Sequence, residues 1–367
     1  MKIGLITDSI DDGSAGVGTY ARGLASALPE VSSSNITFVH RREHEFYRGR
    51  PELVFPSWGS KFARKQILLP HVLNAAGFDL VHETFHFPPF FGRGRFFKVM
   101  TIHDMTPFVL PRQTMDVRNW LWHRLLVPPL ARRADHVLTD SDNSRQDIIR
   151  VLGLPPERVS VAHLAADSSF HPRCPEEVDR LRARYQLPER FLLFVGTIEP
   201  RKNLERLIRA YERASARIGD VGLVLAGGLG WRYRPVLRAV RRSPVRERIR
   251  LLGRVPEEEL PVLYSAALAL VFPSLYEGFG LPPLEAMQCG CPVLTSSNSS
   301  LPEVVGDAAL TVDEHDETRL ALAIERICND DTLRAALREK GVRRAERFTW
   351  RRCAEATVAA YERALAA

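Results

Sequence analysis

Glu277 and Glu285 stand eight positions apart in a segment reading Leu275-Tyr-Glu-Gly-Phe-Gly-Leu-Pro-Pro-Leu-Glu-Ala286. Carboxylates accept hydrogen bonds from sugar hydroxyls. Gly278 and Gly280, between them, lack a Cβ, so a ligand can lie against bare backbone. Residues 284–290 read as a helix, and its unpaired first N–H groups would face the glycines as an anion site. Upstream, Arg201 and Lys202 follow an apolar strand pattern at 191–195 and precede a helix pattern from Leu204. Two cations at a helix start oppose the macrodipole. Neutralising a diphosphate as its charge grows explains them better than a solvated helix end does. Phosphate and hydroxyl recognition together are what a nucleotide-sugar requires.

Other candidates are weaker. His103, in Thr101-Ile-His-Asp104, ends a strand pattern and can hydrogen-bond a substrate hydroxyl or act as a base. Ten of the eleven histidines precede residue 172, so its strand-end position alone singles it out. His82 and His86 have a metal-like i, i+4 spacing, but the following Pro88-Pro89 marks a loop and no third ligand is evident. Residues 139–144 (Thr-Asp-Ser-Asp-Asn-Ser) read as a helix cap first. Gly13, Gly16 and Gly18 read as a loop at a helix N-terminus that lets phosphate or sugar approach. Gly16-Val-Gly18-Thr-Tyr-Ala21 resembles a dinucleotide fingerprint but begins too far beyond the first strand, and no P-loop pattern occurs.

Elements able to position these residues recur along the chain. Strand patterns at 2–7, 36–39, 80–82, 97–102, 136–139 and 159–161 alternate with helix patterns such as 20–28, 118–133 and 144–152. A second series has strands at 191–195, 222–226, 249–252, 268–272, 293–295 and 309–311, with helices at 204–216, 260–266 and 318–329 between them. The alternation predicts α/β architecture with two doubly wound parallel sheets, joined near 170–188. Residues 350–366 form a last helix outside the second series, placed to brace the first domain.

At 367 residues, two cores are the natural expectation. The chain has a hydrophobic share of 45% and a charged share of 26%, as in soluble globular proteins. No long apolar run or leader pattern is read. The five cysteines show no CxxC spacing and predict free thiols in a reducing compartment. The net charge of +7 is spread over both halves, so no nucleic-acid tail stands out.

Residues 277–285 resemble the E-x7-E element of the retaining glycosyltransferases of family 4 (GT4). The resemblance is closest to the mannosyltransferase-like branch. It extends through Gly16-Val-Gly18, His103-Asp104 and residues 199–203, 252–260, 292–297 and 300–306, in order along nearly the whole chain. It implies the GT-B fold, with two Rossmann-like domains facing a deep interdomain cleft. Residues 1–172 would bind the acceptor, residues 173–349 the donor, and helix 350–367 would return to the first domain. Arg201 and Lys202 resemble the pair that grips the donor diphosphate. Glu277 matches the glutamate on the transferred sugar, and Glu285 the one on the ribose. Gly278, Phe279, Gly280 and Leu281 would border sugar and phosphates, and the Val255 backbone would meet the base. His103 would approach an outer sugar hydroxyl, and Gly16 with Gly18 the phosphate. Thr197 departs from the pattern, standing where many relatives have arginine, which leaves the diphosphate one cation fewer or shifts donor preference.

The reaction implied is retaining transfer of a hexose, mannose by resemblance, from a nucleoside diphosphate to a glycan or lipid-linked saccharide. The cations stand in for a metal, so neither cofactor nor metal is expected. Rival readings are an inverting enzyme with His103 as base, a nucleotide-sugar epimerase and a non-catalytic binder. Around 41–70, Arg41, Arg42, Arg48, Arg50, Lys61, Arg64 and Lys65 interleave with Phe46, Tyr47, Phe55, Trp58 and Phe62. That mixture suits anionic lipid headgroups. Residues 118–133 (Trp120, Trp122, Leu125, Leu126, Arg124, Arg132, Arg133) read either so or as a core-facing helix with a solvated basic side. The expected location is cytoplasmic, with peripheral contact at the inner membrane face, and no nucleic acid as partner.

Overall fold

The computed structural model describes residues 1–11, 16–55, 63–91, 94–111 and 115–366. Gly13, Trp58, Lys61 and Phe62, singled out above, lie outside them. The chain forms two compact units. One comprises Met1–Val109, Val117–Ala165 and Thr349–Ala367, the other Leu110–Asp116 and Ala166–Phe348. The main division falls at Ala165/Ala166, seven residues before the expected boundary.

In the first unit, strands β1 (Lys2–Ile6), β2 (Asn35–His40), β3 (Glu52–Val54), β4 (Leu80–Glu83), β5 (Phe97–Ile102), β6 (His136–Thr139) and β7 (Val159–Val161) form one sheet. Their order is β3-β2-β1-β4-β5-β6-β7 and every pairing is parallel. Helices cover both faces of such a sheet, so its strands are apolar throughout. Ile3, Leu5, Leu80, Val81, Val99, Val137 and Leu138 are fully buried. Chain direction across the sheet reverses between β1 and β4, and their carboxyl ends flank the switch point where such sheets bind ligands.

The 41–70 segment corrects the sequence reading. It supplies the edge strand β3, and Tyr47, Phe55, Arg64 and Lys65 are buried. Tyr47 stacks on His40 at 3.6 Å and donates to the Thr7 carbonyl at 3.0 Å. Lys65 Nζ lies 2.8 Å from Glu83 and 3.4 Å from Asp8. Most of the described aromatics and cations there serve the fold rather than a lipid-facing surface, although Arg42 and Arg48 are exposed.

The C-terminal helix Trp350–Ala366 is part of the first unit. Cys353, Ala354, Thr357, Ala360, Tyr361 and Ala364 recur every three or four residues and are buried. Tyr361 Oη lies 2.8 Å from His82 Nδ1. The Trp350 ring lies over Gly23 of the helix Val17–Val31, where a Cβ would fall 2.2 Å from Trp350 Cε2.

In the second unit, β8 (Phe191–Val195), β9 (Gly222–Ala226), β10 (Ile249–Gly253), β11 (Ala269–Phe272), β12 (Val293–Ser296) and β13 (Ala309–Val312) run parallel in the order β10-β9-β8-β11-β12-β13. Its switch point lies between β8 and β11. The described cysteines are unpaired, and four of the five are buried. Among the described residues no helix is long and apolar enough to cross a membrane.

Overpacking tests the seat of the C-terminal helix. Gly23→Val should lower stability by about 1–3 kcal/mol in denaturant titration. Adding Trp350→Ala should recover part of that loss, because it removes the ring the new side chain strikes.

Candidate active site

The loops after β8 and β11 meet because those strands are neighbours at the second unit's switch point. Gly227, after β9, has φ 150°, and a Cβ there would lie 1.9 Å from the Gly196 carbonyl oxygen, so the two strand ends require bare backbone. Pro200–Lys202 then makes a single 3₁₀ turn, closed by Asn203 in the left-handed region at φ 59°. The Asn203 amide donates to the Pro273 carbonyl at 3.1 Å and the Glu314 carbonyl at 2.9 Å. The Leu275 N–H donates to the Arg201 carbonyl at 2.9 Å. The two loops are thereby fixed to each other through backbone.

Their side chains form an ion triad. Arg201 Nη1 lies 2.7 Å from Glu277 Oε2, and Lys202 Nζ 2.6 Å from Glu277 Oε1. Lys202 and Glu277 are each 7% exposed. Arg201 also pairs with Glu199 at 3.0 Å and donates to the Tyr276 carbonyl at 2.9 Å. Burial alone would push the Glu277 carboxyl up, but the two cations outweigh it and hold the group near 2. Burial, reinforced by Arg201, pulls Lys202 down against the opposing pull of Glu277. Glu277 is thus a fixed negative charge of low basicity.

The backbone of 277–281 is held by Asn298, Ser299 and Ser300, to which the sequence reading gave no role. Ser299 Oγ accepts from the Glu277 N–H at 3.0 Å, and Ser300 Oγ lies 3.0 Å from the Glu277 carbonyl and 2.6 Å from that of Phe279. Asn298 donates to the Leu275 carbonyl at 2.8 Å. Gly278 and Phe279 are buried, the Phe279 ring meeting Phe348 edge-on at 5.6 Å. Gly280 has φ 120°, and a Cβ there would meet Leu301 at 3.0 Å.

The helix begins at half-buried Leu281, not Leu284, and runs Leu281–Gln288. Pro282 and Pro283 therefore occupy its first turn. Neither has an N–H, and Leu284 donates to the Gly280 carbonyl at 3.3 Å. The expected set of open helix donors is largely absent, so anion recognition here falls to side-chain cations.

Glu285 lies apart from the triad and accepts from the Tyr264 hydroxyl at 2.8 Å. Burial raises its carboxyl to about 7, the Tyr264 bond opposing and the Glu257 charge adding to the rise. The two glutamates are therefore electrostatic opposites. Thr197 is exposed beyond β8, and Val255 is buried beyond β10, after Gly253 at φ 71°.

In the first unit, buried His103 has both ring nitrogens engaged. Nε2 lies 2.9 Å from the Thr84 carbonyl and Nδ1 2.8 Å from Asp140 Oδ2. A carbonyl only accepts, so Nε2 carries a proton. Burial would lower His103, but Asp140 draws it upward. The Tyr20 ring meets it edge-on at 4.9 Å. Gly16 caps the helix Val17–Val31 at φ 72°. Gly18 lies inside that helix rather than in a loop, and a Cβ there would fall 3.4 Å from the Ser9 carbonyl. His82 Nδ1 lies 2.8 Å from Tyr361 Oη and Nε2 2.8 Å from Thr101 Oγ1. Ser141 caps the helix Asp142–Leu152 by accepting from the Ser144 N–H at 3.1 Å.

Residues 14–170 match the family described as Glycosyltransferase Family 4, and residues 177–344 match Glycosyl transferases group 1. The O-antigen chain mannosyltransferase B of Escherichia coli is 39% identical over 99% of this chain and 100% of its own length. The chain belongs to glycosyltransferase family 4, in its mannosyltransferase-like branch. Among solved structures, the sucrose-phosphate synthase of Thermosynechococcus elongatus is similar with a TM-score of 0.79 at 22% identity, covering 100% of this chain and 99% of that one. Anabaena HepE, determined with UDP and glucose, gives 0.76 at 20% identity over 99% of each chain. Both sheets of this family 4 glycosyltransferase are those of the GT-B fold.

The triad has a pH signature. A carboxyl held near 2 stabilises the fold fully above its ordinary 4.5, and that contribution fades as pH falls through 2. Glu277→Gln should cost about 3 kcal/mol at pH 7 in urea titration. The difference from the parent should shrink below pH 4.5.

Proposed function

We propose that this glycosyltransferase moves mannose from GDP-mannose to a growing lipid-linked polysaccharide, with retention of anomeric configuration and without a divalent metal. The ion triad at the second unit's switch point carries the reading. Arg201 and Lys202 supply two positive charges where a donor diphosphate would lie, and Glu277 supplies a carboxylate for hydroxyls of the transferred sugar. Glu285 accepts from the ribose hydroxyls, while Gly278, Phe279, Gly280 and Leu281 offer backbone to sugar and phosphates. The Val255 backbone meets the base, and exposed Thr197 adds no charge.

In the reaction, the bond from the sugar's anomeric carbon to the diphosphate oxygen breaks as the acceptor oxygen bonds that carbon on the same face. The acceptor's proton passes to the departing phosphate oxygen, giving the glycoside and the nucleoside diphosphate. Arg201 and Lys202 stabilise the leaving charge, a role otherwise filled by a metal. The low basicity of Glu277 favours this route over one through a carboxylate nucleophile. An inverting route would need a base, and His103 Nε2 already holds a proton that it donates to Thr84.

Mannose and a polysaccharide acceptor are supported by the name of the Escherichia coli relative, an O-antigen chain mannosyltransferase. HepE, determined with UDP and glucose, supports a nucleotide-sugar donor. In the helix Val117–Arg133 only the C-terminal half enters the core. Leu121, Trp122 and Leu125 are exposed beside Arg118 and Arg124. That amphipathic face suits a lipid-linked acceptor at the cytoplasmic leaflet.

A donor screen tests the reading. GDP-mannose at 100 times its Kd should stabilise the protein by about 2.7 kcal/mol, with UDP- and dTDP-sugars giving less. Chelator should leave turnover unchanged. Because Glu285 ionises near 7, donor affinity should rise about tenfold from pH 6 to pH 8, and Glu285→Gln should flatten that slope. Protection by a UDP-sugar alone would overturn the donor assignment.

A further inference from the structure

The second unit carries a concentration of charge that its donor chemistry does not use. Residues 231–254 contain nine arginines and a single acid, Glu247. The whole chain has a formal net charge of only +7, so the remainder is close to neutral. Averaging over each half of the sequence conceals this.

The charge is displayed in an ordered way. The helix Arg234–Arg242 buries Val236 and Val240. Arg234, Arg238, Arg241 and Arg242, at helical spacing, form an exposed outer stripe. Arg232, just before the helix, and Arg250, on the edge strand β10, are exposed as well. None of the six has a carboxylate partner among the described residues. Exposed arginines elsewhere in the unit often do: Arg209 and Arg213 pair with Glu317, Arg217 with Glu325, and Arg343 with Glu339.

Folding accounts for only part of the stripe. Arg241 and Arg242, in the last turn, suit the macrodipole, but like charges three and four residues apart weaken a helix and Arg234 in the first turn opposes the dipole. A surface that retains such repulsion is suited to an anionic partner. The same segment exposes Trp231 at 36% and Leu251 at 41%, side chains that gain from a bilayer interface.

We propose that residues 231–254 dock the second unit on a bilayer rich in anionic headgroups. Basic residues near such a surface are each attracted, and the attraction decays within a Debye length. This contact uses none of the residues of Val117–Arg133 and does not depend on which sugar is transferred.

The test is co-sedimentation of the full chain with vesicles of phosphatidylglycerol and phosphatidylcholine, against pure phosphatidylcholine, without donor or acceptor. The parent should bind only the anionic vesicles and be released at about 1 M salt. The triple variant R234E/R238E/R242E should bind them more than a hundredfold more weakly. It should unfold at the parent's temperature or above and keep GDP-mannose protection. R234Q/R238Q/R242Q, the milder companion, should lose less, in proportion to the charge removed. Parent-like vesicle binding by a folded triple variant would overturn the proposal. So would equal binding of the parent to neutral vesicles, or a preference for RNA over vesicles. Failure here would leave the donor screen untouched, and failure of the donor screen would leave vesicle binding intact.

Discussion

Two cations closing on one buried carboxylate set the terms for the second unit. Arg201, Lys202 and Glu277 come from loops after β8 and β11, strands adjacent in space and about eighty residues apart in sequence. Removing one member of such a group would leave buried charge uncompensated, which is strongly unfavourable. The surrounding structure is therefore committed to the triad. Asn203 ties the first loop to Pro273, the Arg201 carbonyl receives the Leu275 N–H, and Ser299 and Ser300 hold the backbone on either side of Glu277.

The same environment gives two glutamates of one segment different chemistry. Glu277 is pinned in its ionised form by charge, whereas Glu285 is raised by burial and steadied by one hydroxyl, that of Tyr264. A carboxylate near 2 is a poor base and serves as a fixed acceptor. One near 7 changes charge within the working range of most cells. In the proposed reaction the first assignment belongs to the transferred sugar and the second to the departing ribose. The transition state then draws on cations positioned before substrate arrives.

Much of this was legible in the residues. Strand patterns in two series, the Glu277/Glu285 spacing and the Arg201-Lys202 pair at a strand end each carried a physical reason. The ion pairing itself was not legible, because it depends on β8 and β11 being neighbours. Tyr264 gave no signal, being one tyrosine on a short helix. The helix start was misplaced because Pro282 and Pro283 favour a first turn just where they remove its donors. The mixture of cations and aromatics at 41–70 read as a surface, yet Tyr47 and Phe55 are core and Lys65 answers Asp8 and Glu83. Residue type identifies such side chains, but burial decides their role. The sequence also pointed to His103 as a base without revealing that the Thr84 carbonyl occupies its Nε2.

In the proposed transfer the protein provides charge and position but neither base nor nucleophile. The most direct test is NMR of the glycoside product, whose anomeric configuration is fixed once the new bond has formed. Mannose from α-linked GDP-mannose should appear in the α configuration. A β-linked product would contradict it, because inversion requires a base that neither His103 nor Glu277 is placed to supply.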